Sequence, residues 1–193
     1  MPKDILIKHF DQYLPLNKEE KEALTSCLVE RKIKRRQFIL QENDVCLHYT
    51  FVVKGCFKMY RVDEKGKEHN LQFAAEHDWI TDIRSLHKEV PSLLYIEAIE
   101  PSTILQIGKK DLRQLYDKYH TFDRNFRVIT EDQFIELQNR VLQNISSTGQ
   151  ERYQAFLKQY PHLANRLPNT QIASYLGITP EFLSIIRAKK PKR

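Results

Sequence analysis

The chain has 193 residues, is 41% hydrophobic and 29% charged, and carries a net charge of +6. That is enough for one or two globular domains with a real core, and five Gly with eight Pro exclude a collagen-like or low-complexity chain. No apolar run nears the ~18 residues of a membrane span, and Lys3, Asp4 and Lys8 leave no apolar signal core, so no membrane partner and a cytoplasmic location are expected.

Up to about residue 28 the pattern is helical: Ile5, Phe10, Leu14, Leu24 and Leu28 fall on helical spacings. Asn17 is a natural N-cap, with Glu19 and Glu20 in the first turn behind it. From Ile33 to Ile107 the pattern changes to short β segments. Phe38-Ile39-Leu40 runs into the polar turn Gln41-Glu42-Asn43-Asp44, and Tyr49 to Val53 ends at Gly55. Phe57, Met59 and Arg61 alternate with Lys58, Tyr60 and Val62, and Asp63-Glu64-Lys65-Gly66 reads as a hairpin turn, with Leu71 and Phe73 on the return strand. Leu94 to Ile99 alternates again, Pro101-Ser102 turns, and Ile104 to Ile107 is the last strand. Many short strands separated by turns predict a sandwich, barrel or jelly roll.

After Gly108, Leu112, Leu115, Tyr119, Phe122, Phe126 and Ile129 recur every three or four residues, and Phe134, Leu137, Val141 and Ile145 extend the stripe after a slip near Gln133. This predicts a long helix, or a short one running into a long one, with a coiled-coil-like seam. Such a seam points to a homodimer through residues 112–145; the plainer alternative packs the helix only on its own β domain. Ser146-Ser147-Thr148-Gly149 is the expected linker, and Tyr153, Phe156, Leu157 and Tyr160 mark a short amphipathic helix behind it.

Charge is distributed unevenly. Residues 146–193 hold eight Lys and Arg against only Glu151 and Glu181, so the whole positive excess sits there. This points to a polyanion partner, the plainer reading being a solvated basic tail. The same region holds the most informative run. Ile172, Ala173 and Leu176 would face inward on a first helix, Gly177 would supply a left-handed turn, and Ile178 would plug the gap. Thr179 as N-cap, Pro180 at N1 and Glu181 at the positive dipole end would start a second helix, buried through Leu183 and Ile186. A small Ala four residues before a Gly suits two helices meeting at a steep angle, as in a helix-turn-helix; an ordinary α-hairpin is the alternative. Double-stranded DNA is then the expected partner. Thr179, Pro180, Glu181, Ser184 and Arg187 would be candidate groove contacts, Thr170 and Gln171 phosphate contacts, and Lys189, Lys190 and Lys192 salt-sensitive ones.

The order of parts, a β-barrel, a long helix and a helix-turn-helix, resembles the Crp/Fnr family of transcription regulators, in the form common in Bacteroidetes-type bacteria. The resemblance rests on Leu14-Pro15-Leu16, Gln41 to Asp44, Phe51-Val52-Val53-Lys54-Gly55, Asp63 to His69 and Ile172 to Glu181. It implies an α+β multidomain chain. Residues 1–110 would form a jelly-roll (double-stranded β-helix) sensor with N-terminal helices, 111–146 a dimerisation helix, and 147–193 an all-α DNA-binding domain. No enzymatic activity is implied. Only about ten residues separate Tyr160 from Gln171, so the family's β wing should be reduced or absent.

In cyclic-AMP binders of the family a Gly-Glu pair opens the phosphate cassette, and an Arg followed by Ser or Thr closes it. Thr81-Asp82 and Ser92-Leu93 stand there instead. Asp82 could still accept from a ligand hydroxyl, and Arg84 would sit on the cassette helix, but Ser92 cannot replace a bidentate guanidinium and Leu93 removes a hydroxyl. Cyclic AMP is therefore not expected, and the effector is an unknown small molecule or none. The resemblance places Phe73, Thr81, Asp82, Arg84, Ser92, Leu93 and Tyr95 around a tentative pocket, more apolar than a nucleotide site if Phe57 and Trp79 also line it. No Cys precedes Cys27, against an Fnr-type iron–sulfur cluster, and no His-x-His pair suggests the metal site of a cupin-like enzyme. Haem stays open through His48, His69, His77 or His87. Ile185 occupies the position where many members place a guanine-reading Arg, which keeps open a ligand sensor that has lost DNA binding and acts through protein contacts.

Overall fold

The computed structural model describes residues 1–188; Lys189, Lys190 and Lys192 of the basic tail lie outside the described residues. The N-terminal region is two helices, α1 (Pro2–Phe10) and α2 (Lys18–Cys27), the second starting at the expected cap Asn17. A capping box starts the second: Asn17 Oδ1 accepts the Glu20 N–H at 3.0 Å, and the Glu20 carboxylate accepts the Asn17 N–H at 2.8 Å.

Eight strands follow: β1 (Val29–Ile33), β2 (Phe38–Leu40), β3 (His48–Lys54), β4 (Phe57–Val62), β5 (Glu68–Ala74), β6 (Trp79–Ile80), β7 (Tyr95–Ala98) and β8 (Ser102–Gly108), with the short helix α3 (Ile83–Lys88) after β6. They form two four-stranded sheets, ordered β1-β8-β3-β6 and β2-β7-β4-β5. Two glycines make the turns. Gly66 closes the β4–β5 hairpin at φ 77°. Gly55 joins β3 to β4 at φ 105°, where a Cβ would lie 2.1 Å from Ser102 Oγ, so no larger residue fits without displacing β8.

Alternation along the first sheet builds two cores. Ile33, Val52, Ile80 and Ile104 point inward and meet Leu40, Phe57, Met59 and Ile96 of the second sheet. Phe51, Val53, Trp79, Leu105 and Ile107 point the other way, into Leu6, Phe10, Leu24, Leu112, Leu115, Phe122, Phe126 and Ile129 of the helices. Trp79 therefore belongs to the helix-facing core and not to the inside of the roll, contrary to the family-based expectation.

Helix α4 (Lys109–Lys118) breaks at Tyr119, whose backbone is extended, and α5 (His120–Ser146) continues alone. Asn125 is fully buried in α5; its side chain exchanges 3.0 Å hydrogen bonds with both the N–H and the carbonyl of Leu14. The apolar stripe divides. Its first part, through Ile129, is buried in its own domain, while Phe134, Leu137, Val141 and Ile145 are exposed, Ile145 to 80%. The expected homodimer seam over residues 112–145 is thus too long, because its first half already has a partner. The expected linker also shrinks to Ser147 and Thr148: Ser146 ends α5, and Gly149 opens α6 (Gly149–Gln159), capped by Thr148. Turns then lead to α7 (Asn169–Leu176) and α8 (Pro180–Ala188). Among the described residues no strand follows β8, so no wing is present there.

Two compact units result: Met1–Arg61 with Gln72–Glu131, and Val62–Leu71 with the chain from Asp132 onward. Among the described residues no helix is long and apolar enough to cross a membrane, and no three of His, Cys, Asp and Glu cluster so as to hold a metal ion.

His9 carries a pH signature. Its ring lies between Phe51 (5.2 Å) and Tyr13 (5.5 Å), and its buried Nε2 has no hydrogen-bond partner among the described residues. Burial, with His77 nearby, lowers its pKa from 6.5 to about 4. Between those values the unfolded chain holds a proton that the folded chain refuses, so stability falls as pH drops from 6.5 towards 4. Melting temperature measured across that window should fall with pH, and His9→Phe should flatten the profile.

Candidate functional site

The C-terminal unit holds three helices around a small core: Tyr153 and Phe156 of α6, Ile172, Ala173 and Leu176 of α7, and Leu183 and Ile186 of α8 are all buried. Gly177 ends α7 in the left-handed region at φ 65°, and the Ile178 N–H bonds Ala173 O at 3.0 Å, which reverses the chain. Thr179 Oγ1 then accepts the Phe182 N–H at 3.2 Å and caps α8. A helix-turn-helix follows, its second helix presenting Thr179, Glu181, Ser184 and Ile185 to solvent with Pro180 half-buried. Thr170, at the start of α7, is exposed. Phe182 is also exposed on α8, but its ring covers Gly149, where a Cβ would meet it at 2.7 Å.

Two proposed DNA contacts are engaged elsewhere. The Arg187 guanidinium donates to Tyr153 Oη (2.9 Å), to Ala164 O (2.8 Å) and to Asn169 Oδ1. It fastens α8 to its neighbours while the residue stays exposed at the surface. Gln171 is tied to the β4–β5 hairpin tip: Asn70 Nδ2 donates to its Oε1 at 2.8 Å and to its carbonyl at 3.0 Å, and its own amide reaches Glu68 at 3.3 Å. Ser174 completes this contact, accepting the Asn70 N–H at 3.1 Å and donating to Glu68 O at 2.7 Å. Arg140 of α5 donates to the carbonyls of Asn70 (2.9 Å), Leu71 and Tyr175 (3.1 Å) and lies 3.9 Å over the Tyr175 ring. No sequence motif marks Arg140, because its partners are backbone carbonyls.

The phosphate cassette of the other unit is closed on itself. Asp82 is buried and caps α3: Oδ1 accepts the Ser85 N–H at 3.0 Å, and Oδ2 accepts the Ser92 hydroxyl at 2.7 Å. Ser92, fully buried, also bonds the backbone of Asp44 and Asn43 through its own N–H and carbonyl. Asp82, which the sequence left able to accept from a ligand hydroxyl, thus has both carboxylate oxygens already engaged within the chain, one of them by Ser92. Thr81 Oγ1 donates to Ile80 O at 2.7 Å. Leu93 faces solvent, Arg84 is exposed with one long bond to Pro91 O, and the Tyr95 hydroxyl donates to Glu42 at 3.1 Å while its ring stacks on Tyr60. Phe73 is buried.

Removing the Ser92 hydroxyl strands a buried carboxylate oxygen. Ser92→Ala should destabilise the protein by about 1–3 kcal/mol, read as a lower denaturant midpoint; an unchanged midpoint would mean the Asp82–Ser92 pair contributes nothing.

Residues 30–119 match the cyclic nucleotide-binding domain family. Over 179 residues the chain is 27% identical to the probable transcriptional regulator flp of Lacticaseibacillus casei, spanning 88% of this chain and 79% of that one. Among solved structures it is similar to FixK2 from Bradyrhizobium japonicum (TM-score 0.74, 19% identity, 83% of each chain covered). It is also similar to a CooA mutant from Carboxydothermus hydrogenoformans (TM-score 0.69, 18% identity, 85% of this chain and 76% of that one). A third likeness is to a putative transcriptional regulator of the Crp/Fnr family from Eubacterium rectale (TM-score 0.66, 16% identity, 89% and 82% covered).

Proposed function

For a chain that contains a cyclic nucleotide-binding domain and has the Crp/Fnr architecture, we propose the function of a homodimeric, DNA-binding transcription regulator that does not respond to cyclic AMP and is not an enzyme. The observation that carries this is the capped α7–α8 pair, which leaves one face of α8 free at Thr179, Glu181, Ser184 and Ile185. A helix so held is shaped for a major groove, with its N-terminal residues nearest the bases. Glu181 would accept from a cytosine amino group, and Ser184 would contact either partner of a pair. Thr170 would touch a phosphate, and the positive excess of residues 146–193 would supply sequence-independent, salt-sensitive affinity.

Dimerisation belongs to the exposed second half of α5. Phe134, Leu137, Val141 and Ile145 recur every three or four residues, the repeat of a two-helix seam. Two copies joined there would present two α8 helices to successive major grooves, roughly 34 Å apart. Residues 1–110 would sense, 111–146 would couple, and 147–193 would bind DNA. The self-paired Asp82 and Ser92 support the absence of cyclic-AMP binding. A second reading, a sensor acting through protein contacts, is favoured by the apolar Phe182 and Ile185 on α8.

Selection from random genomic fragments, read at ~50 and ~200 mM salt, should enrich a palindrome whose affinity falls steeply with salt. Glu181→Ala should relax preference at one position per half-site, by roughly 1–3 kcal/mol. Val141→Glu should yield monomers by light scattering and abolish palindromic binding. No enriched sequence at either salt would favour the second reading.

A further inference from the structure

Three neighbouring strands of the first sheet break the apolar rule on their inward face. Inward positions two apart along β1 are Arg31 and Ile33; along β8, Ile104 and Gln106; along β3, His48, Thr50 and Val52. Ile33, Val52 and Ile104 are core, but Arg31, His48, Thr50 and Gln106 are polar and cluster at one end of the roll. They line a cavity of about 420 Å³ whose remaining walls are mostly apolar, including Ile39, Leu40, Ile80 and Ile96. Among its lining residues are Val45 and Leu47, both exposed. None of the cassette residues Thr81, Asp82, Ser92 or Leu93 lines it.

The polar side chains are ordered. Gln106 Nε2 donates to Thr50 Oγ1 at 3.0 Å, both residues being buried, and this fixes the amide so that its Oε1 accepts from the Arg31 guanidinium at 2.9 Å. That bond is Arg31's one hydrogen-bond partner among the described residues, and a guanidinium carries five N–H donors. A positioned cation with spare donors beside an apolar wall is matched by a planar carboxylate on a hydrocarbon body. The charge count favours one negative charge. Among the described residues Arg31 is the only Lys or Arg lining the cavity, while Asp44, also on the lining, opposes a dianion such as phosphate. Burial, and next the charge of Arg31, hold the His48 imidazole below its usual pKa. Burial pushes the Cys46 thiol up, so it stays protonated.

We propose that this cavity is a binding site for a small organic monocarboxylate with an apolar body, its carboxylate held by Arg31. The proposal deepens the regulator reading, since it names the effector's chemical class. The test contains no DNA, so failure here leaves the DNA reading standing, and failure of DNA binding leaves this site standing.

The experiment titrates the full-length protein by calorimetry and ligand-observed NMR with hexanoate and benzoate, their neutral counterparts hexanamide and benzamide, and inorganic phosphate. The acids should bind about tenfold or more tighter than the amides, and phosphate should not displace them. In Arg31→Met the acid-over-amide preference should disappear while the melting temperature stays within a few degrees. The comparison on the unaltered chain stands even if that variant fails to fold. Equal binding of acids and amides, displacement by phosphate, no acid binding at ~10 mM, or an unchanged preference in a folded Arg31→Met would each overturn the proposal.

Discussion

The fold turns on one aromatic side chain. Phe126, in the first half of α5, lies within ring-contact distance of Trp79 (5.1 Å), Phe10 (5.6 Å), Tyr116 (5.6 Å) and Tyr49 (5.9 Å). It is the point where the N-terminal helix, the outer face of the first sheet, α4 and α5 meet. Aromatic pairs at these distances add to burial through edge-to-face contact. With Asn125 beside it bonded to Leu14, α5 has both its rotation and its height set before Ile129. Which residues are left for another molecule follows from that setting. The same helix is core for one stretch and surface for the next, because its apolar face outruns the domain that covers it.

The cassette is a polar cluster whose members bond to one another and to the backbone around them. A carboxylate and a hydroxyl stand where the family's resemblance would place a ribose acceptor and a phosphate clamp, and they have found each other at 2.7 Å. α3 is still capped, and the loop around Asn43 and Asp44 is still stitched to Ser92. Buried polar groups that are paired are cheap to keep; those that are not need a reason. By that standard the half-buried Arg31, with one bond and several spare donors, joins His9, whose buried Nε2 has no partner among the described residues.

Much of the architecture was legible in the residues. Asn17, Gly66, Gly177 and Thr179 act through local backbone geometry, which a sequence carries directly, and each stands where that geometry requires it. Strand β1 is hidden in the sequence because Arg31 interrupts its inward alternation and Val29 is exposed, so the pattern emerges only at Ile33. The residue that hid the strand is the one that furnishes the cavity. β6 is hidden because two residues carry no periodicity. The site was less legible. Arg187 and Gln171 look like surface contacts from spacing alone, but their partners lie 34 and 101 residues away in sequence. No local pattern reports such distances. The division of the α5 stripe was hidden for the same reason, since buried and exposed apolar residues read alike until the covering elements are in place.

The hairpin tip has a consequence for how the chain is made. Val62–Leu71 belongs to the same compact unit as the helices beyond Asp132, yet it lies inside the sequence of the other unit. Its Asn70 leaves the ribosome 101 residues before Gln171, a wait of roughly 5–20 s at ordinary synthesis rates. Until then Glu68 and Asn70 have no helix to bond, and the C-terminal unit cannot complete itself as it emerges. A fragment beginning near Asp132 would leave the Arg140 guanidinium without the carbonyls of Asn70 and Leu71. No single cut in the chain yields either unit whole.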